Sequence, residues 1–418
     1  MVWVQREETV GERVRRHRLR LGMAQADLAA ALGRTQGWVS KIESGRLELD
    51  RASVINQVAS ELHCHPNDLI GRPYNHNPLE NSWQQSAALI VRELRRFDLI
   101  PVWEGQPRAS AQLWQEVASV ARLRDKADNV SILGRLVDLL REARALAEVS
   151  TGREREQAFA IYTHCVKFGH SSAHALGHPE LVAISAERGR WSAQLAGDAV
   201  GGTLSALASW MRAWDMWASA DWSDSITVMD RALETVESGY SAGEPLAMRM
   251  YGSIHLRAAI GVSRAGDVDG ALARVAEARQ AAERLDAYTG ERPFDPDNLA
   301  FSLGNTLIHA AAAAVEGADH TRALDLDTQA RREHPRALAA LTKSRRGHHH
   351  MDMSRAHLWN GDRDQALVEL EKAERTAPQL VRNHPMAHAT LRSIIYAERA
   401  GTRERLRVLS NRFHLDEQ

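Results

Sequence analysis

Cysteine, proline and long apolar runs are all scarce in this chain of 418 residues. Its two cysteines, Cys64 and Cys165, cannot form a disulfide framework, which predicts a protein of the reducing cytoplasm. No apolar run approaches the roughly 20 residues that a membrane-spanning helix needs, and the arginine-containing N-terminus does not resemble a signal peptide. We therefore expect a cytoplasmic protein without membrane contact.

An excess of either charge is also missing, because 53 Lys and Arg face 54 Asp and Glu. Any surface that binds nucleic acid must therefore be local. Proline is rare and strong helix formers such as Ala, Leu, Arg and Glu dominate, which predicts an all-α protein. The length exceeds what one hydrophobic core supports, so two or more units or a repeat array are expected.

The sequence has no nucleophile elbow, phosphate-binding loop, paired-carboxylate site or dinucleotide fingerprint. We therefore expect no enzyme, no catalytic residue and no cofactor. The run "GHHHMDM" at 347–353 contains possible metal ligands, and His348 and Asp352 share a helix face. No third ligand is evident, so we expect polar lining of a groove rather than a metal site.

Residues 9–71 predict five short helices, the fourth of them at 51–62 with Asp50 as its N-cap. Within "QADLAAALGRTQGWVSKIESG", Ala29 is small enough for two helices to cross, and Gly33 permits the positive φ of a tight turn. Thr35 is placed to cap the next helix. These features predict a helix-turn-helix whose outer face shows Gln36, Gly37, Ser40 and Lys41.

This stretch resembles the XRE family, the helix-turn-helix class of lambdoid phage repressors, through Gln25, Ala29, Gly33 and the ending "KIESG". The resemblance implies a five-helix, lambda-repressor-like DNA-binding domain in which Arg18 pairs with Glu43. It also implies that Gln25 holds a phosphate. Trp38 either packs on the loop after Gly45 or contacts a thymine methyl. The predicted DNA contacts are Gln25, Arg34, Thr35, Gln36, Gly37, Trp38, Ser40, Lys41 and Arg46.

The resemblance also implies which part of the DNA each side chain contacts. Gln36 and Lys41 are expected to read base edges, and Gln25 is expected to hold a phosphate. Arg34 departs from the family pattern, and we expect it to add a phosphate contact. One such domain covers a half-site, so we expect a homodimer on double-stranded operator DNA with palindromic or repeated half-sites.

From about residue 127 the pattern becomes a series of helix pairs. Second helices begin near residues 220, 266, 318, 361 and 401, each after a turn and with spaced alanines. Such self-similarity predicts an α-solenoid, and the last two full pairs resemble tetratricopeptide repeats. The predicted units are a DNA-binding domain at 1–72, a linker and connecting helices at 73–126, and an effector and dimerisation domain at 127–418.

The concave face of such an array is lined by the first helix of each pair. The register of the alanines places an aromatic stripe there, followed by an amide, an imidazole and a cation. These predicted effector-binding residues are Trp210, Trp214, Trp217, Asn305, His348, Met351 and Arg355. The tryptophans are either ordinary packing or the wall of a site for a peptide or a small molecule.

The joined architecture resembles the RRNPP peptide-pheromone receptors and, more closely, actinobacterial XRE regulators with degenerate repeats. That resemblance implies a transcription regulator whose repeats dimerise and bind an effector. The alternative is an interaction scaffold, in which the repeats grip a partner protein and DNA binding is secondary.

Overall fold

The structure is a computed structural model with helices throughout, and the residues that it describes contain no β-strand. The all-α prediction is confirmed. The described residues are 8–64, 66–70, 81–290, 299–396 and 403–413. Residues 73–80, at the start of the linker and connecting helices predicted at 73–126, lie outside them.

The predicted five helices of the N-terminal domain are confirmed, and they surround one small apolar core. Four of the core side chains are Val14, Leu28, Val39 and Ile42, each almost fully buried. Core side chains recur three or four positions apart, as Val39 and Ile42 do on α3, so one face of each helix turns inward. The five helices are α1 (Val10–Arg20), α2 (Gln25–Ala31), α3 (Gln36–Glu43), α4 (Ala52–Glu61) and α5 (Pro66–Ile70).

Local signals set the ends of these helices. Gly33 has a φ of +63° between α2 and α3, and the Thr35 hydroxyl accepts the Trp38 amide at 3.3 Å as the cap of α3. The prediction that Asp50 caps α4 is wrong. Arg51 occupies the N-cap position and has no side-chain cap bond, because the Asp50 carboxylate accepts the indole N–H of Trp359 instead.

Five helices follow, and they share one large apolar cluster with the array behind them. Trp83 and Leu94 on the first and Leu113 on the second are buried in the same cluster as Leu136 and Phe159. The boundary at residue 126 stays a prediction, although the apolar core continues across it. The five helices are α6 (Asn81–Arg95), α7 (Ser110–Asp125), α8 (Asn129–Val149), α9 (Gly152–Leu176) and α10 (Pro179–Ala196).

The array continues with helices that pack on their neighbours in sequence, which confirms the predicted series of pairs. An Asp opens three of the second helices and caps them through its carboxylate: Asp267, Asp319 and Asp362 each accept the amide three residues on. The helices are α11 (Leu204–Met216), α12 (Trp222–Ser241), α13 (Pro245–Arg264), α14 (Val268–Asp286), α15 (Leu303–Glu316), α16 (His320–Glu333), α17 (Pro335–Ala339), α18 (Lys343–Trp359), α19 (Arg363–Thr376), α20 (Pro378–Val381), α21 (Pro385–Tyr396) and α22 (Arg403–Arg412). A 3₁₀ turn at Trp217–Ser219 follows α11.

The far end of the array returns to its beginning. Helix α20 packs against α8 and α9, and α18 packs against α7. The Gln379 amide donates to Asp128 at 3.2 Å, and Arg124 donates to the Ser344 hydroxyl at 3.1 Å. The alternate helices α11, α13, α15, α18 and α21 contact one another in turn and form the inner layer. The curled array therefore encloses a central space.

Candidate nucleic-acid interface and central cavity

Helix α3 presents the polar face that the sequence predicts. Gln36, Gly37, Ser40 and Lys41 are exposed, whereas Val39 and Ile42 on the opposite face are buried. Predicted contacts around the helix are exposed as well: Arg34, Thr35 and Arg46. An exposed polar helix after a tight turn is the geometry in which a recognition helix enters the major groove.

A buried ion pair fixes this helix to α1. Arg18 donates from Nε and Nη2 to the two carboxylate oxygens of Glu43 at 2.5 and 2.9 Å, as the family resemblance implies. Burial alone would raise the pKa of Glu43, but hydrogen bonds from Arg18 and Gln25 outweigh it and the pKa lies below its ordinary value. The pair therefore orients α3 without facing DNA.

Gln25 and Trp38 have structural contacts of their own. The Gln25 side-chain amide donates to Glu43 at 2.9 Å, so it is tied to the ion pair and half-buried at the start of α2. Trp38 packs against the apolar core of the domain, and the Arg34 guanidinium lies 5.5 Å from its ring centroid. Packing is thus the observed role of Trp38, and the phosphate contacts of Gln25 and Arg34 stay predictions.

Two more acidic residues of the domain point away from α3 and into the array. Asp50 accepts the indole N–H of Trp359, and the Glu48 carboxylate lies 3.8 Å from the Arg392 guanidinium. Both acids are buried, and burial raises the pKa of each. Because these two carboxylates are buried against the array, the surface around α3 is more basic than the total charge of the domain would suggest.

The N-terminal domain lies across the central space of the array and forms part of the wall of a cavity of about 670 Å³. Ile55, Asn56, Pro66 and Ile70 contribute its wall from the domain side. The seven predicted effector-binding residues all line it: Trp210, Trp214, Trp217, Asn305, His348, Met351 and Arg355. The structure thus brings together on one cavity side chains from α11, α15 and α18 and from the 3₁₀ turn.

The three tryptophans are buried or half-buried, and they also surround a cation. The Arg257 guanidinium carbon lies 3.6, 4.1 and 5.1 Å from the ring centroids of Trp210, Trp214 and Trp217. Neighbouring rings of the stripe are 6.0 and 6.2 Å apart. Packing and cavity lining therefore coexist in this stripe, and contacts of this kind stabilise a desolvated arginine.

A network of charges crosses another wall of the cavity. Glu316 accepts from Arg264 at 2.8 Å and from Arg355 at 2.9 Å. Although burial would raise the pKa of Glu316, the two arginines lower it to about 2. The Asp352 carboxylate lies 3.6 Å from the Arg355 guanidinium, which lowers its pKa. Burial outweighs this effect and raises the pKa of Asp352 to about 7.

Histidines of the cavity wall are held neutral. Burial lowers the pKa of His309, His348 and His384 to about 3 each, and neighbouring cations add to the effect. The predicted polar lining by His348 fits this environment. Among the described residues, no group of three or more His, Cys, Asp or Glu side chains is placed to hold a metal ion.

Sequence reasoning missed several polar groups of the cavity. They are Arg257, Arg264, Glu316, Arg345 and His384, all in the wall. Arg257 and Arg264 stand seven apart on α13, the first helix of its pair, so the rule that selected the tryptophans also applies to them. None of the helices in the described part of the chain is long and apolar enough to span a membrane.

The fold and the exposed face of α3 define an all-α protein with an N-terminal helix-turn-helix domain followed by helical repeats. Residues 9–69 match the family described as a helix-turn-helix domain. The N-terminal unit is therefore a helix-turn-helix domain, as the sequence predicts. The match to the family spans the N-terminal unit and leaves the array unassigned.

Other comparisons add little to that assignment. No curated protein matches the chain by sequence. A solved structure similar to it is the Bacillus thuringiensis PlcR complex with the peptide PapR7 and DNA. The similarity covers 67% of this chain and 96% of that one, with 13% identity and a TM-score of 0.28.

Proposed function

We propose that this chain is a cytoplasmic transcription regulator, rather than an enzyme, that binds an operator through α3. It acts as a homodimer on palindromic or repeated half-sites, because one helix-turn-helix covers only a half-site. The central cavity holds an effector, and occupancy of the cavity changes how the two DNA-binding domains are presented.

The observation that carries this proposal is the shared wall of the cavity. Asn56 and Ile70 belong to the DNA-binding domain, whereas Trp214 and Arg355 belong to the array. An occupant therefore contacts both units at once. A ligand shifts an equilibrium between two arrangements only if it binds one of them better, and a site between two units meets that condition.

The size of the cavity favours a ligand over a protein partner. A volume of about 670 Å³ falls within the range of small-molecule sites and also accommodates a short peptide. A partner protein would need an open face of about 800 Å². The interaction scaffold is therefore the less favoured function.

Selection of binding sites from random duplex DNA, followed by affinity measurements on the selected operator, tests the DNA-binding part. Gln36→Ala and Lys41→Ala should each weaken binding by about 1–3 kcal/mol, with relaxed preference at one base position. Gln57→Ala is the matched control, because Gln57 is exposed on α4 of the same domain and outside the predicted contacts. Both variants binding like the wild-type protein would reject α3 as the reading helix.

A further inference from the structure

Arg257 is a buried cation that faces the cavity without an anionic partner among the described residues. Arg257 is only 7% exposed, and its side chain lines the cavity. Its contacts are the faces of the three tryptophans. The charged groups that act on it are Arg345 and Arg264, which repel it, and together with burial they lower its pKa well below the ordinary value.

Arg345 is a second cation in the wall of the cavity. It donates to the carbonyl oxygen of Leu299 at 3.0 Å, and within the described ranges no carboxylate pairs with it. Burial lowers the pKa of Arg345 to about 10, and the nearby Arg124 acts in the same direction. By contrast, the other two arginines of the cavity, Arg264 and Arg355, share the carboxylate of Glu316.

An unpaired buried charge is expensive, and proteins normally pair it or neutralise it. An arginine guanidinium stays charged near pH 7 even where burial lowers its pKa, because that pKa starts from above 12. Contacts with aromatic faces offset part of the desolvation but leave the N–H donors of the guanidinium without acceptors. A carboxylate suits these donors, because its two oxygens match the planar fork of arginine.

The rest of the wall indicates what accompanies that carboxylate. Ile55, Ile260 and Ile308 offer apolar surface. The Asn305 side-chain oxygen and the Nε and Nη2 atoms of Arg355 are buried and have no hydrogen-bond partner in the part of the chain that the structure describes. An apolar body with a carboxylate at one end and a further polar group would fill this volume.

We propose that the cavity binds a small organic carboxylate, whose carboxylate accepts hydrogen bonds from Arg257 and whose charge is further balanced by Arg345. This assignment rests on the proposed function, because it gives a chemical class to the effector of the same cavity. The carboxylate belongs either to a free organic acid or to the C-terminus of a short peptide.

Calorimetric titration of the full chain with matched acid and amide probes tests the assignment. The pairs are phenylacetate with phenylacetamide, and the tripeptide Ala-Ala-Phe with its C-terminal amide. At least one acid should bind about tenfold or more tightly than its amide. Preference within the first pair identifies a free acid, and preference within the peptide pair alone identifies a peptide terminus. No binding by either acid, or equal binding of acid and amide in both pairs, would overturn the proposal.

Three variants locate the interaction. Arg257→Gln should abolish the preference for the acid, and Arg257→Lys should keep part of it because the charge remains while the forked geometry is lost. Arg322→Gln removes a charge from an exposed ion pair with Asp269 and should bind like the wild-type protein. If Arg257→Gln does not fold, Arg345→Gln and Arg257→Lys provide the comparison. An undiminished preference in the folded variants would overturn the role of Arg257.

Operator affinity is measured separately with and without the bound acid. Binding of the acid without any change in operator affinity would reject the proposed coupling and leave the anion site intact. The absence of acid binding in a chain that still binds its operator would reject the anion site and leave DNA recognition intact.

Discussion

The stability of the DNA-binding domain depends on the ion pair between Arg18 and Glu43, and the substitution Glu43→Gln tests that dependence. The glutamine keeps the shape of the side chain but removes its charge, so the buried guanidinium of Arg18 loses its counter-ion. Arg18 and Glu43 are 6% and 8% exposed, and two hydrogen bonds of 2.5 and 2.9 Å join them. Loss of one partner of a buried pair costs about 3–5 kcal/mol.

Because glutamine can still accept one hydrogen bond, we expect a loss near the lower end, about 3 kcal/mol in the free energy of unfolding of the domain. Hydrogen exchange followed by mass spectrometry measures it in the full chain. Amides of α1 and α3 that exchange only through unfolding of the domain should exchange roughly 100-fold faster. Glu61→Gln, at the half-buried last residue of α4, is the control and should change exchange little, because Glu61 lies outside the ion pair.

The pH dependence gives an independent check with a defined sign. The pKa of Glu43 is lowered in the folded domain. The contribution of Glu43 to the stability of the domain is therefore complete above the ordinary carboxylate pKa, and it is lost as the pH falls from there through the folded-state pKa. The wild-type domain should therefore lose more stability than Glu43→Gln between about pH 5 and pH 3. Parallel losses, or a cost below about 1 kcal/mol at pH 7, would refute the reasoning.

Two further predictions concern packing and protonation. A Cβ at Gly11 would overlap the Ile42 carbonyl oxygen where α1 meets α3, so Gly11→Ala should lower the unfolding midpoint of the domain. Gly134→Ala, at an open position within α8, should instead raise the free energy of unfolding by about 0.5–1 kcal/mol. Equal shifts of the two variants in thermal denaturation would contradict this expectation. Burial lowers the pKa of His384 to about 3, so below about pH 6.5 the unfolded chain binds a proton that the folded chain does not, and stability falls with the pH. His384→Asn should flatten the decline of urea stability between about pH 6.5 and pH 4.5, and an unchanged slope would exclude a neutral buried histidine.

Local chemistry made much of the fold predictable. The cap of α3 by Thr35 and the positive φ of Gly33 were predictable because each depends on nearest neighbours along the chain. The repeated second helices are recognisable for a similar reason, since Asp267, Asp319 and Asp362 cap them in the same way. The alanine register then placed seven side chains on one cavity, because close helix packing fixes which face turns inward.

Contacts between residues far apart in the sequence were not predictable in this way. Asp50 has a sequence context typical of a helix cap, but its carboxylate accepts the indole N–H of Trp359 instead. The return of α20 to α8 and α9 depends on the accumulated curvature of the array, to which every pair contributes a small rotation. Arg257 has no distinguishing feature in its local sequence, because its lack of an anionic partner within the described ranges depends on residues of other helices.

The coupling that we propose between the cavity and the DNA-binding domain would pass through Arg355. Its guanidinium contacts Glu316 and Asp352 in the wall, and the charge of Asp50 in the N-terminal domain also stabilises it. Asp50 in turn is held by Trp359 at the end of the same helix, α18. An anionic occupant near Arg355 would compete with Asp50 for the same positive charge and so weaken the attraction that docks the domain. A neutral occupant of the same shape would leave that attraction in place. Under the proposed function, the charge of the ligand, rather than its volume alone, would therefore determine whether filling the cavity loosens the DNA-binding domain.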